Sequence, residues 1–580
     1  MRSFLHSSRQ IVLQYNVRSL QTAAEAAADV SYTRGLFLGV NNTARAFPYP
    51  KPSESETEML QMLVDPVKKY FSFVDSRAID ETKKIPQQVL NDIKELGLFG
   101  LQIPEKLQGL GLSNTGYARV CEEITDGSLA VTVMAHQSIG LKGILLNGNE
   151  AQKTKYLPKL ATGEHIAAFA LTEPSSGSDA GSIQTRATLS EDGKHFILNG
   201  SKIWISNGGW ADVMTVFAQT EVEGKDKVTA FIVERAFGGV TSGPSEDKLG
   251  IRGSNTCQVF FDNCKVPIEN ILGGGPDMKT GASLRRVLST AAEHANSRKQ
   301  FGAPLAKFGL IQKKFGIMTL DVYAIESMAF MTTGMIDRGD PSCEIEAAMC
   351  KVYGSEAAFT GINECIQVMG GTGFMKEWPF ERLMRDCRIL SIFEGTNEIL
   401  RMLIALTGIR TAGERLSAVG KLFQNPLSDP SSAAKEVSDR LQRKFSPTTL
   451  EGAHPSLRDS AELLQKRTAD FGQAVEFLLR KHGKKVVDEQ MQLERIADSA
   501  IALFAMTATI SRASSSLNLG NESAEHEKKL TALYCDLTSK KIQTLLDEIK
   551  TAVKHDKQLR EIASEVLKSE KYIPSHATGI

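Results

Sequence analysis

The feature that most constrains the fold of this 580-residue chain is a change in the period of its apolar residues, which happens twice. From about residue 54 to residue 159, apolar residues recur three and four positions apart, as in MLQMLVDPVKKYFSFV, and this spacing predicts amphipathic helices. Between Phe169 and about Leu272, short alternating runs bounded by turn residues predict strands. Helical spacing returns near Ser283 and persists to about Leu406. The sequence therefore predicts a mainly helical α+β protein with an antiparallel β domain in its middle.

Two Asn-Gly pairs punctuate the predicted β domain. Asn199-Gly200 separates HFIL from KIWI, and Asn207-Gly208 follows closely. Asn-Gly between alternating apolar runs is typical of a tight two-residue turn. We therefore expect a hairpin centred on 199–200 and a second tight turn at 207–208.

A second helical region follows a linker. Residues 424–456 are rich in Pro and Ser, which predicts a linker or a weakly ordered insert, and strongly periodic helices run from Leu457 onward. Within the linker, apolar residues recur every four positions among basic ones: Val437, Leu441 and Phe445. This segment is either a basic amphipathic turn that contacts an anionic membrane or a short solvated helix or loop.

Charge and cysteine content exclude several classes of partner. Lys plus Arg equals Asp plus Glu, at 68 each, so there is no overall field to hold a nucleic acid. The 8 cysteines form no C-x-x-C pair, and we expect reduced thiols with neither a disulfide framework nor a metal site. No run approaches the roughly 18 apolar residues of a membrane span.

The first 30 residues have the composition of a mitochondrial targeting segment. Arg2, Arg9 and Arg18 lie among serines, and no acidic residue precedes Glu25. Matrix-targeting peptides share this basic, acid-poor composition. The alternative is an ordinary disordered basic N-terminus.

Two neighbouring segments suggest a site for a flat heterocycle. AFALTEPSSGSDAG (168–181) places Ser, Thr and Gly on a loop where a ligand's polar edge can approach closely. About thirty residues later, KIWISNGG (202–209) offers an aromatic side chain beside a hydroxyl. An aromatic wall with convergent polar groups suits such a ligand.

Five ordered motifs resemble the acyl-CoA dehydrogenase family: TEPSSGSD (172–179), WIS (204–206), RKQFG (298–302), QVMGGTGF (367–374) and FEGTNEI (393–399). The opening segment 34–50 and the tail segment ERIADSAIALFAMTATISRAS resemble the very-long-chain branch, and also its complex I assembly factor paralogue. The resemblance implies an N-terminal helical domain (50–168), a β domain (169–272), a four-helix domain that binds FAD and acyl-CoA (273–410) and an extra helical domain (457–580).

The resemblance also assigns a cofactor site. The isoalloxazine is expected to contact the loop and strand residues Phe169, Leu171, Thr172, Gly177, Ser178, Trp204, Ile205 and Ser206. The neighbouring subunit's FAD is expected to contact Arg298, Phe301, Gln367, Val368, Met369, Gly370 and Gly371. The subunit's own FAD is expected to contact Thr396, Asn397 and Glu398. The substrate is expected to contact Ser178, Phe393 and Gly395.

Glu394 is the candidate catalytic base. An α-proton of a thioester is weakly acidic, so the reaction needs a poised carboxylate, and apolar neighbours at Ile392 and Phe393 would raise its pKa by desolvation. The resemblance implies a long-chain acyl-CoA substrate, transfer of electrons to electron-transfer flavoprotein, a homodimer and a peripheral position on the matrix side of the mitochondrial inner membrane.

One stretch departs from the family pattern. About seventeen residues are absent between Ile271 and Gly302, which would shorten a core helix by about 25 Å at about 1.5 Å per residue. Arg285 and Arg286 align with the retained half, so neither is given a substrate contact. Two alternatives to an active enzyme follow: a complex I assembly or scaffold protein, and an isoform impaired by an internal deletion near residues 273–285.

Overall fold

The structure is a computed structural model that describes residues 31–580 except 223, 273–283, 341, 425–429, 432, 435, 439–449, 576, 579 and 580. The predicted targeting segment lies outside the described residues, as does most of the amphipathic part of the linker. The side chains of residues 284–287, which include Arg285 and Arg286, are also outside them.

Helices dominate the first part of the chain. They are α1 (Tyr32–Phe37), α2 (Thr43–Ala46), α3 (Glu54–Phe73), α4 (Ser76–Thr82), α5 (Gln87–Glu95), α6 (Asn114–Cys121), α7 (Gly127–Met134), a π-helical turn (Ala135–Gly140), α8 (Lys142–Asn147) and α9 (Glu150–Ala161). Helix α3 begins where the Ser53 hydroxyl accepts a hydrogen bond from the Glu56 amide, with Glu54 and Glu56 in the positive first turn. Its buried residues, from Leu60 to Phe71, form a core with α5, α6 and α7.

A single eight-stranded sheet follows. Its strands are β1 (Ala167–Ala170), β2 (Arg186–Leu189), β3 (His195–Ser206), β4 (Val213–Val222), β5 (Lys225–Glu234), β6 (Val240–Ser242), β7 (Thr256–Pro267) and β8 (Ile271–Leu272). The order is β6-β7-β3-β2-β4-β5-β8, with β1 also paired to β4. β1 and β2 run parallel to β4, so the predicted antiparallel arrangement describes the other pairings only.

The predicted hairpin at 199–200 is wrong. β3 runs unbroken from His195 to Ser206 and pairs with β7, and Asn199-Gly200 forms a bulge where the register shifts. Glycine is needed at 200 because an added Cβ would lie 2.6 Å from the Thr185 hydroxyl. The turn at 207–208 is present, closed by the Gly208 amide donating to the Ile205 carbonyl at 3.0 Å.

A helical bundle comes next. Its elements are α10 (Leu284–Ser297), a short β9–β10 hairpin (Lys299–Gln300 and Ala303–Pro304), α11 (Gly309–Asp337), α12 (Glu344–Met369), α13 (Gly371–Phe374), α14 (Phe380–Cys387) and α15 (Asn397–Gln424). The three long helices α11, α12 and α15 have 29, 26 and 28 residues. The residues directly before α10, where the sequence analysis expects a shortened helix, lie outside the described residues, so that expectation stays a prediction.

The extra C-terminal region is also helical. It contains α16 (Arg458–His482), α17 (Gln490–Leu519), α18 (Ala524–Thr551) and α19 (Val553–Ser569). Helix α1, from the opposite end of the chain, packs into the same core. The Tyr32 hydroxyl lies 2.7 Å from the Thr507 hydroxyl, and the Phe37 ring meets Phe471 edge-on at 4.9 Å between centroids.

Two helical stretches reach the length and hydropathy of a membrane span, contrary to expectation. They are Gly127–Asn147, with a mean hydropathy of 1.4, and α17, with 1.2. Both are mostly buried inside the protein, at 61% and 89%. Burial on that scale is typical of core helices in a large domain.

Candidate active site

Glu394 lies in a strained turn between α14 and α15. Its φ is +54° and that of Gly395 is +88°, so two consecutive residues adopt left-handed conformations. Trp204 and Phe301, both predicted to bind the cofactor, also have positive φ values of 58° and 50°. Such strain in non-glycine residues costs free energy and concentrates at functional sites.

The Glu394 turn borders a cavity of about 410 Å³. Its other walls come from α6, the π-helical turn, α11 and α12, with Tyr117, Ser138 and Thr333 among them. Burial raises the pKa of Glu394, and the positive charge of Lys351 acts in the opposite direction. A carboxylate whose pKa is raised by desolvation beside a small-molecule cavity is suited to accept a proton.

Lys351 of α12 was missed by the sequence analysis. Its ammonium donates to the Gly395 carbonyl at 2.7 Å and to the Asn397 side-chain oxygen at 2.9 Å. Burial lowers the pKa of Lys351 to about 8, opposed by the charges of Glu394, Glu398 and Glu356. Its place in the mostly apolar run AAMCKVY (347–353) is a sequence signal of burial, but it does not indicate the contact with Gly395.

The loop after β1 and the end of β3 lie side by side. The Ile203 amide donates to the Thr172 carbonyl at 2.9 Å. Trp204 is 63% exposed, Ser206 and Phe169 are half-buried, and Gly177 and Ser178 are exposed. An added Cβ at Gly177 would meet no atom within 4 Å. An exposed ring beside hydroxyls and open backbone fits a flat aromatic ligand.

A buried ion pair between Lys202 and Glu173 holds this loop against β3. Lys202 is 0% exposed, and its ammonium lies 2.7 Å from the Glu173 carboxylate and 3.0 Å from the Leu171 carbonyl. Glu173 also accepts from the backbone amides of Gln184 and Thr185, at 2.6 and 2.9 Å. The loop is thus tied to β3 by charge-assisted hydrogen bonds.

The residues predicted to contact the neighbouring subunit's FAD lie in another part of the chain, at the β9–β10 hairpin and the end of α12. Phe301 is 96% exposed, Arg298 and Gln367 are exposed, and Gly370 and Gly371 have open space where a Cβ would stand. These residues form an uncovered surface on the chain.

The remaining predicted residues divide by burial. The side chains of Ile205, Val368, Met369 and Asn397 are buried in the protein, so any ligand contact at these positions is limited to the backbone. Asn397 is fully engaged, because its amide donates to Ser355 and Glu356. Half-buried or exposed positions on or next to the Glu394 turn are Phe393, Gly395, Thr396 and Glu398, and Leu171 in the loop after β1 is half-buried.

Comparisons with known proteins give one family for most of the chain. Three models, described as acyl-CoA dehydrogenase N-terminal, middle and C-terminal domains, match residues 54–164, 168–264 and 278–408. A fourth, described as ACAD9/ACADV, C-terminal domain, matches residues 455–572.

Individual relatives agree. The chain is 46% identical over 540 residues to the human very long-chain specific acyl-CoA dehydrogenase, mitochondrial, covering 88% of this chain and 82% of that protein. It is 34% identical to a probable acyl-CoA dehydrogenase of Bacillus subtilis, covering 84% and 86%. The crystal structure of a Bacillus anthracis acyl-CoA dehydrogenase complexed with FAD superposes with a TM-score of 0.75 at 29% identity, covering 93% and 96%. From these matches and the ordered motifs, the chain belongs to the acyl-CoA dehydrogenase family.

Proposed function

We propose that this protein is an FAD-dependent dehydrogenase that converts a long or very long chain acyl-CoA to the trans-2-enoyl-CoA. The observation that carries the proposal is Glu394, a desolvated carboxylate on a strained turn beside a cavity of small-molecule size. The 46% identity to very long-chain specific acyl-CoA dehydrogenases supports the chain-length class.

The residues around Trp204 fit FAD. The exposed Trp204 ring would pack against the flavin, and the hydroxyls of Thr172, Ser178 and Ser206 would hydrogen-bond its polar edge. Arg298 and the open backbone at Gly370 and Gly371 would receive the pyrophosphate and adenosine of the partner subunit's cofactor. When bound, FAD supplies a hydride acceptor for the β-carbon.

Glu394 moves the proton. Its carboxylate would take the α-proton of the thioester as the C–H electrons form the new double bond, and bound FAD would accept the β-hydrogen together with its electron pair. Burial raises the pKa of Glu394, and the positive charge of Lys351 opposes that rise.

The test compares three purified, FAD-loaded proteins: wild type, Glu394→Gln and the matched control Glu221→Gln, an exposed acid on β4. General-base catalysis contributes about 10² to 10⁴ in rate, so Glu394→Gln should reduce its flavin with palmitoyl-CoA at least 10²-fold more slowly. Palmitoyl-CoA affinity should change little because the amide is isosteric. Equal rates in wild type and Glu394→Gln would disprove the base assignment.

A catalytically impaired isoform is the second candidate, and the residues of the family pattern that are absent between Ile271 and Gly302 favour it. Insertion of these residues from a close relative separates the two candidates. If only the restored protein reduces its flavin, this chain is impaired; if both proteins do, the shorter segment is tolerated.

The finer features are also proposals. Mitochondrial relatives and the basic segment 1–30 support a matrix location. The exposed Arg298 and Gln367 surface supports a homodimer, and Val437 in the linker supports peripheral contact with the inner membrane. We propose electron-transfer flavoprotein as the electron acceptor. A complex I assembly role is the scaffold alternative, and a flavin that palmitoyl-CoA bleaches would argue against it as the main role.

A further inference from the structure

The turn that carries Glu394 is held by a lysine from a different helix. Lys351 is 9% exposed, and its ammonium binds the Gly395 carbonyl, one residue beyond the base. Its second hydrogen bond, to Asn397, fixes the first residue of α15. The ammonium therefore links the carbonyl of Gly395, whose φ is +88°, to the side chain of the residue where α15 begins.

A network of polar side chains fixes Lys351 in turn. Asn397 donates to Ser355 and Glu356 at 3.0 Å each. Glu356 receives both terminal nitrogens of Arg401, at 2.7 and 2.9 Å, and Arg401 donates its remaining Nε to Asp498 at 2.8 Å. Since Asp498 lies on α17, the extra C-terminal domain supports the catalytic turn through these contacts.

We propose that Lys351 is a positioning residue for the catalytic base: its ammonium closes the Glu394-Gly395 turn by binding the Gly395 carbonyl and the Asn397 side chain. This inference rests on the proposed role of Glu394. It gives a role in the active site to a residue of α12 that lies outside the cofactor and substrate motifs.

The charged groups around Glu394 determine in which direction its pKa should change when Lys351 is replaced. Lys351 is the cation whose charge lowers the pKa of Glu394, whereas burial raises it. Lys351 itself faces Glu394, Glu398 and Glu356. The other titratable groups that line the cavity are Tyr117, Cys121, Lys142, Asp340, Cys343, Glu344 and Cys350. Removing the Lys351 charge leaves the desolvation of Glu394 unopposed, so its carboxyl should titrate at higher pH.

The experiment reads the carboxyl directly. Infrared difference spectra between each FAD-loaded protein and its Glu394→Gln counterpart report the protonated carboxyl band as a function of pH. In Lys351→Met the midpoint of the Glu394 carboxyl titration should rise by about 1 to 3 pH units, which is the effect of losing a nearby opposite charge. Lys351→Arg should restore most of the shift. The control Lys248→Met removes a half-buried lysine whose pKa burial likewise lowers to about 8 but which does not line the cavity, and it should leave the midpoint unchanged.

Flavin reduction by palmitoyl-CoA gives a second reading. At pH 7 the rate constant should fall about tenfold or more in Lys351→Met, with the acyl-CoA dissociation constant unchanged. If Lys351→Met does not fold, Lys351→Gln keeps one donor without the charge and should give the same upward shift. A midpoint in the foldable variant that matches wild type would overturn the inference. If wild-type flavin is not reduced at any pH, the proposed function fails, and the infrared titration still decides the role of Lys351.

Discussion

Replacing Lys202 with methionine should loosen the loop that we propose for the flavin. The substitution keeps the approximate volume but leaves the Glu173 carboxylate, 4% exposed, without its cation. It also leaves the Leu171 carbonyl without its 3.0 Å donor. Breaking a buried ion pair by removing one partner costs about 3 to 5 kcal/mol. Glu173 keeps its two amide donors, at Gln184 and Thr185, which places the expected cost near the lower end.

Hydrogen exchange measures this cost locally. The chain has several domains, so one free energy of unfolding is not defined for it, whereas exchange of single amides reports local opening. In Lys202→Met the amides of Gln184, Thr185 and Ile203 should exchange about 10² times faster, since about 1.4 kcal/mol corresponds to a factor of ten. Lys227→Met, an exposed lysine of β5, is the control.

A double variant identifies the source of the cost. Adding Glu173→Leu to Lys202→Met removes the unpaired charge, and apolar replacement of a whole buried pair is often neutral. The double variant should recover much of the amide protection. Less than a tenfold acceleration in Lys202→Met would refute the reasoning, because the pair would then carry little of the loop's stability.

Three further predictions concern cofactor, pH and assembly. Trp204→Ala should lose bound FAD on gel filtration while wild type keeps it, and a colourless wild type after reconstitution would contradict the flavin site. Burial acts to raise the pKa of Asp337, but hydrogen bonds from Thr115 and Asn114 outweigh it and lower the net pKa. A depressed folded-state pKa gives stability above the unfolded pKa near 4 that is lost as pH falls through the folded value, so Asp337→Asn should lower the melting temperature at pH 7 more than at pH 3. Light scattering should give twice the chain mass, because Phe301 and Phe374 are 96% and 79% exposed; a monomer or tetramer would contradict the dimer.

Many strands of the β domain could be predicted because the alternation of apolar and polar residues along each strand is a local signal. β4 and β5 pair residue for residue from Val213↔Glu234 to Val222↔Lys225, as a simple hairpin does. Asn199-Gly200 could not be read locally, because the long pairing of β3 with β7 overrides the turn preference and converts it into a bulge. The parallel pairing of β1 with β4 likewise depends on the crossover between them.

The candidate active site likewise contains residues that could be identified from the sequence and one that could not. Glu394, Trp204 and Ser178 belong to contiguous motifs and could be named from the sequence. Lys351 could not, because its role depends on the Gly395 carbonyl, 44 residues away, meeting its ammonium. A helical sequence shows which residues share a face but not which loop covers that face.

The position of α1 bears on the order in which the chain folds. α1 is the first described helix, yet Tyr32 meets Thr507 across 475 residues and Phe37 meets Phe471. Phe37 also occupies the space above Gly408, where an added Cβ would lie 2.3 Å from its ring. Contacts so distant in sequence form late, because a very long loop must close before they are made. In the folding chain, α1 therefore keeps its apolar face uncovered until α16 and α17 are in place to pack on it, and the uncovered face exposes the chain to aggregation.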